Sequence, residues 1–290
     1  MAKESNARNV DAIQFLINPD APSGMVFAIK EAYKTIRANL VLSLTKETCK
    51  RIVVTSSIPG EGKTTTSVNL AIALSMIDMK VLLVDIDLRK KRISKVIKLR
   101  NHDGLTDVIR SDAQFDKVVN VTKYPNLHVL SAGSSVINPS EIIASSLTNK
   151  LFSEIEKNYD YIIFDAPPVN VVSDALPMIK QSDAVVFVAR DNITTHKELK
   201  KALTSLESIK ANILGMVYIG SDSTQPYYYS RYGRYGYGQS GYSKYGKYRS
   251  YADKYYGYAD DEELSMEQQD PSSIEQEPSF PIEETDTNNE

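Results

Sequence analysis

The chain is nearly devoid of cysteine. Cys49 is the only one among 290 residues, which excludes an internal disulfide and fits a reducing compartment. It also lacks a strong charge of either sign. The formal net charge is −3, so the charge balance gives no reason to expect nucleic acid as a partner. The first fifteen residues contain no continuous apolar core, and no secretory leader is expected. No stretch approaches the roughly 18 apolar residues from which a membrane-crossing helix is read. These absences lead to the expectation of a cytoplasmic protein, unless another molecule holds it at a membrane.

What is present is organised around Ser56-Ser57-Ile58-Pro59-Gly60-Glu61-Gly62-Lys63-Thr64-Thr65. This stretch follows the apolar run Ile52-Val53-Val54 and leads into Ser67–Leu74, which reads as a helix. A strand, a glycine-bearing loop and a helix in that order make a phosphate cradle. Gly60 and Gly62 let backbone N–H groups turn inward toward a phosphate, and the helix N-terminus adds partial positive charge. Lys63 is placed to reach the outer phosphates and the Thr64 hydroxyl suits Mg²⁺, with Glu61 and Thr65 completing the binding stretch. Ser57 stands where the usual pattern begins with glycine.

Continuous apolar strands then alternate with helical stretches. Residues 24–45 carry an apolar stripe at Val26, Ile29, Tyr33, Ile36, Leu40 and Leu44. Glu31, Lys34 and Arg37 form a charged ridge on the same helix, either a solvated face or an interface. Strands are expected at 80–85, 126–130, 160–165, 184–189 and 212–217, and helices at 147–158 and 195–209. A further helix begins near Asn138-Pro139-Ser140-Glu141, capped by Ser140. Apolar strands buried on both faces indicate an α/β fold, a parallel sheet with helices on both sides. Ligands in such sheets bind beyond the carboxyl ends of the strands, where Asp85 and Asp165 fall. Asp87 lies two residues after Asp85, so both carboxylates can face the nucleotide. One could enter a metal shell and the other accept a hydroxyl proton. The basic cluster Lys90, Lys91, Arg92, Lys95, Lys98 and Arg100 reads first as a solvated helix face, with contact to acidic tail segments or anionic lipid as the lesser reading.

The domain organisation expected is an extended arm over 1–22, a phosphoryl-transfer domain over 23–225, and two tail segments. From 226 to 258 the composition changes to Tyr227, Tyr228, Tyr229, Tyr232, Tyr235, Tyr237, Tyr242, Tyr245, Tyr248, Tyr251, Tyr255, Tyr256 and Tyr258. Gly, Ser, Lys and Arg separate them, and Leu, Ile and Val are absent. Residues 259–290 are rich in Asp and Glu and carry no Lys or Arg. With so little aliphatic content both tail segments are expected to be disordered. A Tyr/Gly/Arg tract is also compatible with base stacking or self-association, but a phosphoryl-transfer site with hydroxyl acceptors on the same chain explains tyrosines at this density without a further partner.

The phosphate loop, Val81-Leu82-Leu83-Val84-Asp85-Ile86-Asp87-Leu88-Arg89, Ile162-Ile163-Phe164-Asp165-Ala166-Pro167-Pro168 and the tyrosine cluster together resemble the bacterial protein-tyrosine kinases of capsule and exopolysaccharide synthesis. The resemblance covers about residues 24–260 and implies a P-loop NTPase-type fold of the ParA/MinD-like kind, in which these stretches are the Walker A, A′ and B motifs. It implies ATP and Mg²⁺ as cofactors, Lys63 and Thr64 on the phosphates and metal, and Asp87 and Asp165 in the metal shell. Asp85 is implied as the base, with Arg89 in the catalytic set. Glu31, Lys34 and Arg37 correspond to the family's E-x-x-R-x-x-R oligomer motif, with Lys34 in place of the first arginine. An ammonium cannot form the bidentate fork of a guanidinium. The implied partners are further copies in a homo-oligomeric ring, a transmembrane adaptor that recruits and activates the kinase at the inner face of the membrane, and a cognate tyrosine phosphatase; no nucleic acid is implied. The other reading is a partitioning or positioning ATPase of the same fold. Its K-G-G-x-G-K signature is missing, because Ile58 and Pro59 occupy the first two positions.

Overall fold

The computed structural model describes residues 8–10, 15–17, 23–99, 103–111 and 113–220. The tyrosine cluster at 226–258 and the acidic segment at 259–290 lie outside the described residues. In chain order the strands are β1 (Arg8–Val10), β2 (Lys50–Ser56), β3 (Val81–Asp85), β4 (Asn120–Thr122), β5 (Leu127–Leu130), β6 (Tyr161–Asp165), β7 (Ala184–Arg190) and β8 (Ile213–Ile219). The helices are α1 (Ser23–Ser43), α2 (Lys63–Ser75), α3 (Arg92–Val96), α4 (Leu105–Ile109), α5 (Phe115–Val118), α6 (Pro139–Ala144), α7 (Ser146–Ile155), α8 (Leu176–Gln181) and α9 (His196–Ser208).

The strands form one sheet in the order β1-β4-β5-β3-β6-β2-β7-β8. Every pairing is parallel except β4 with β5. Alternate residues leave each strand on opposite faces, and each face buries its own apolar layer. Val53, Leu82, Val84, Ile162, Phe164 and Phe187 belong to one layer, in which Phe152 of α7 meets Phe164 edge-on at 4.9 Å between ring centroids. Ile52, Val54, Leu83, Tyr161, Ile163 and Val188 belong to the other, with Leu70, Ile72 and Leu74 of α2 and Leu40 of α1. The parallel P-loop α/β architecture expected from the sequence is therefore the architecture found.

The short helices α4, α5 and α8 were not expected, and three further features also differ. The short antiparallel β4 was missed, since three residues of mixed polarity carry no strand period. Arg8–Val10, within the stretch expected as an extended arm, hydrogen-bonds along β4 as an edge strand. Ser140 does not cap α6. Asn138 is the cap residue and Pro139 takes the first helical position, where its fixed φ and missing N–H cost nothing.

β3, β6 and β2 are adjacent, so their carboxyl ends bring three loops together. Asp85 and Asp165 are register partners across β3 and β6, and Asp165 is in register with Val54 of β2, two residues before that strand ends. The connection from β2 through α2 to β3 passes over β6. It therefore leaves a crevice where the phosphate loop meets both acidic strand ends.

Candidate active site

The cradle is formed by residues 57–62 between β2 and α2. Gly60 and Gly62 have φ of +91° and +93°, a left-handed conformation that a side chain would strain. At Gly62 an added Cβ would also lie 2.8 Å from Ile219 Cδ1, so that methyl would have to shift. The first intrahelical bond of α2 runs from Thr66 N to Gly62 O at 2.9 Å. The backbone N–H groups ahead of it have no partner inside the helix and face the crevice end of α2. This cradle suits an anion.

Glu61, expected in the binding stretch, turns its side chain into the loop itself. It is buried within the loop, where it accepts from Ser57 Oγ at 2.6 Å and from Ile58 N at 2.7 Å. Thr194, in the connection after β7, also donates to it. Arg190 adds a bond from Nη1 to Gly60 O at 3.3 Å. The loop is thus shaped from inside by a carboxylate and from outside by the end of β7. Thr65 lies half-buried on the first turn of α2.

Lys63 is the first residue of α2, and its ammonium points across the crevice to Asp87 Oδ2 at 3.1 Å and Asp165 Oδ1 at 3.9 Å. Thr64 Oγ1 donates to Asp165 Oδ2 at 2.7 Å. Ser67 Oγ lies 3.1 Å from Asp165 Oδ1 and 2.9 Å from the Lys63 carbonyl. Asp85 accepts Asp87 N at 3.1 Å and Ile93 N at 3.0 Å, one on each carboxylate oxygen. The second oxygen of Asp87 accepts Lys90 N at 3.2 Å. Asp85 and Asp87 therefore tie the turn after β3 to the start of α3.

These groups are almost wholly withdrawn from water, with Asp85, Asp87 and Asp165 at 0 % exposure. Burial, reinforced by the neighbouring Asp165 and Asp87, raises Asp85 well above the usual carboxylate range. Burial also raises Asp165, although Lys63 and the Thr64 hydroxyl oppose the change. Burial pulls Lys63 downward, but Asp165 and Asp87 more than offset it and hold the ammonium above its ordinary value. Charges packed this closely out of water persist only through mutual pairing.

The structure brings together Lys63, Thr64, Asp85, Asp87 and Asp165 as the sequence suggested. Arg89 takes a different partner. Its Nε donates at 2.7 Å to Asp174, a buried residue in the stretch between β6 and α8. Glu31 and Lys34 pair with each other on α1 at 2.6 Å, and Arg37 donates to the Ala73 carbonyl near the end of α2 at 2.8 Å. The candidate acceptor tyrosines lie outside the described residues. Sequence reasoning missed Ser67, Asp174, Thr194 and Arg190. Only Ser67 left a signal, standing one helical turn after Lys63 and hence on the same face.

The donors suit a hard, small cation. A threonine hydroxyl and carboxylate oxygens are the ligand types Mg²⁺ prefers, with the rest of its shell normally water and phosphate. Among the described residues no group of three or more His, Cys, Asp or Glu is placed to hold a metal ion by itself. An open protein ligand set of this kind fits Mg²⁺ held jointly with a nucleotide.

Comparison with known proteins agrees with this geometry. Residues 49–216 match the family model described as AAA domain. Tyrosine-protein kinase YwqD of Bacillus subtilis is 34% identical over 203 residues, covering 70% of this chain and 86% of that protein. Tyrosine-protein kinase CpsD of Streptococcus pneumoniae serotype 4 is 34% identical over 189 residues, covering 65% of this chain and 82% of the relative. Among solved structures, the chimerical protein CapA2B2 superposes with a TM-score of 0.64 at 31% identity over 73% of this chain and 92% of its own. The kinase domain of the Escherichia coli tyrosine kinase ETK gives 0.64 at 25% identity, over 79% and 94%. The matched region contains the whole of the buried charge cluster, and the chain belongs to the bacterial protein-tyrosine kinases of capsule and exopolysaccharide synthesis.

Proposed function

We propose that this kinase uses ATP·Mg²⁺ to phosphorylate the tyrosines of its own C-terminal segment, on a neighbouring copy, and that this modification regulates capsule or exopolysaccharide polymerisation and export. The observation that carries the reading is one buried cluster in which Lys63, Thr64, Asp87 and Asp165 converge on the phosphate loop, in a chain that also bears thirteen tyrosines between 226 and 258.

In this reading Lys63 and the first amides of α2 hold the transferring phosphoryl group. Thr64, Asp87 and Asp165 would hold Mg²⁺, which when bound would supply positive charge against the outer phosphates. Lys63 would exchange its carboxylate contacts for phosphate contacts. Asp85 takes the tyrosine hydroxyl proton as the phenolic oxygen bonds to phosphorus and the bond to the leaving ADP oxygen breaks. Burial beside two other carboxylates raises its proton affinity, as a general base requires. Arg89, through Asp174, ties the loop after β3 to the segment after β6 and keeps both acidic loops in register.

Assembly belongs to the same proposal. Glu31, Lys34 and Arg37 lie on α1, where no chemistry needs them, and a repeated ring of such contacts would join copies; exposed pairs contribute little singly. Arg37 also serves its own fold through Ala73, so Glu31→Ala is the cleaner probe by light scattering. A transmembrane adaptor supplies the membrane attachment and a phosphatase resets the tail. Among the described residues no helix is long and apolar enough to cross a membrane.

The test mixes an inactive Lys63→Met full-length chain with active chain and radiolabelled ATP·Mg²⁺, followed by phosphoamino-acid analysis. Phosphotyrosine on the inactive chain is expected. Phosphate release without phosphotyrosine would favour a partitioning-type ATPase, and label confined to the active chain would exclude transfer between copies.

A further inference from the structure

The segment that leaves the active site after β3 is basic without interruption. From Leu88 to His102 it holds Arg89, Lys90, Lys91, Arg92, Lys95, Lys98 and Arg100, and no Asp or Glu. The structure divides these cations by use. Arg89 is committed to Asp174 and Lys91 to Ser135 Oγ at 2.9 Å. Lys90 and Arg92 also have contacts within the molecule. Lys95 and Lys98 are exposed, on α3 and just beyond its end. α3 is anchored by Ile93 and Ile97, both fully buried, and Ile93 N bonds to Asp85. Lys95 therefore projects from a helix that is fastened directly to the proposed base, and Lys98 from the turn that ends it.

The chain also carries the complementary charge. After the last tyrosine of the cluster and one alanine come Asp260, Asp261, Glu262 and Glu263, and further Asp and Glu follow to residue 290 without any Lys or Arg. The spacing matches the placement of α3. Lys95 is two residues beyond Ile93, about 3 Å along the helix, with a long side chain reaching outward. Tyr255, Tyr256 and Tyr258 precede the first acidic residues by two to five positions, which spans at most about 7–18 Å of extended chain. A run of carboxylates on Lys95 and Lys98 would thus leave these three tyrosines within reach of Asp85.

We infer that Lys95 and Lys98 form a docking surface for the acidic 260–263 run of a second copy's tail, which delivers Tyr255, Tyr256 and Tyr258 to the active site ahead of the other tyrosines. This rests on the reading of the tail as acceptor and adds to it an order of modification and the means of selection. Anionic lipid would use the same lysines, but the tail carries the matching charge at the spacing the site needs. Because the contact is between exposed charges, it acts mainly on encounter and is screened by salt.

The experiment pairs active catalyst chains with a full-length Lys63→Met acceptor and maps each phosphotyrosine by mass spectrometry over time, at about 50 mM and about 300 mM salt. With native chains, Tyr255, Tyr256 and Tyr258 should lead at low salt and lose their lead at high salt. A Lys95→Glu, Lys98→Glu catalyst should modify those three about tenfold more slowly and the remaining tyrosines at an unchanged rate. An acceptor with Asp260→Lys, Asp261→Lys, Glu262→Lys and Glu263→Lys should restore the lead to that catalyst. A uniform order in the native pair, or no restoration on charge exchange, overturns the docking while leaving tail phosphorylation standing. Absence of phosphotyrosine from every acceptor overturns the acceptor reading beneath it. If the catalyst speeds up when its own acidic run is neutralised, its own tail covers the lysines and the second-copy assignment fails. If charge reversal abolishes binding to phosphatidylserine vesicles but leaves the order of modification intact, the surface belongs to lipid.

Discussion

The two ends of the central sheet use the same chemical groups in opposite ways. At the amino ends of the strands, Lys46 pairs with Asp183 at 3.0 Å and Arg51 with Glu156 at 2.7 Å, with Lys46 and Asp183 42% and 26% exposed. At the carboxyl ends, Lys63 pairs with Asp87 at 3.1 Å with exposures of 6% and 0%, beside two further buried carboxylates. Water screens the Lys46–Asp183 pair, the Arg51–Glu156 pair is only partly buried, and both join neighbouring elements. The second set is kept out of water at a cost in desolvation that folding alone does not require. The concentration of that cost at one end, together with the phosphate loop, is what supports our proposal that the molecule does its chemistry there.

The largest expected effect breaks the buried end. Lys63→Met should lower kinase activity by about 10²–10³-fold, because it removes a cation from charge that develops during transfer. Steady-state assays with circular dichroism on the same sample check this, and near-normal turnover by a folded variant would refute it. Smaller effects should separate the carboxylates. Asp165→Asn and Asp87→Asn should raise the Mg²⁺ concentration needed for half-maximal rate, each by about tenfold. Asp85→Asn should lower the rate at saturating Mg²⁺ with little change in that midpoint. Coincident Mg²⁺ titrations for all three would remove the distinction.

The same cluster sets a pH dependence whose sign can be worked out. Asp85 and Asp165 are raised by burial, so the folded chain holds their protons more firmly than the unfolded chain. Their contribution to stability is fully present below the ordinary carboxylate value and is lost as pH rises through their folded values. Lys63→Met removes the cation that opposes this loss. Its melting temperature should therefore fall more steeply with rising pH than that of the wild type, and parallel curves would show that Lys63 does not compensate these carboxylates.

At the opposite end the effects should be slight. Arg51→Ala, at a partly buried pair, should cost about 1 kcal/mol, and Lys46→Ala at most about 0.5 kcal/mol, both without change in activity. Urea unfolding measures each, and a large loss at Lys46 would erase the contrast between the two ends. The Cys49 thiol lies at this end too. Burial first, then the charge of Glu156, pushes it up to about 12, so it should resist alkylation at pH 8 until the chain unfolds. Rapid labelling of the native protein would contradict that protection.

The legible part of this protein was local. Strand, loop and helix around Gly60 and Gly62 follow from apolar period and glycine conformation, and Asp85 and Asp165 could be assigned to strand ends because continuous apolar runs stop there. Lys63 and Thr64 were legible because the cradle's chemistry requires them at the junction of loop and helix. Tertiary structure decided what depends on distant parts of the chain. It set β6 between β2 and β3, making Asp85 and Asp165 register partners. It turned Glu61 inward to Ser57 and Thr194, and it gave Arg89 to Asp174. No spacing in the sequence predicts such pairings, because a side chain's partner is chosen by which backbones the sheet order brings within about 3 Å. The residue types wrote the chemistry available to the chain, and the packing of the sheet chose which of those groups would share one buried site.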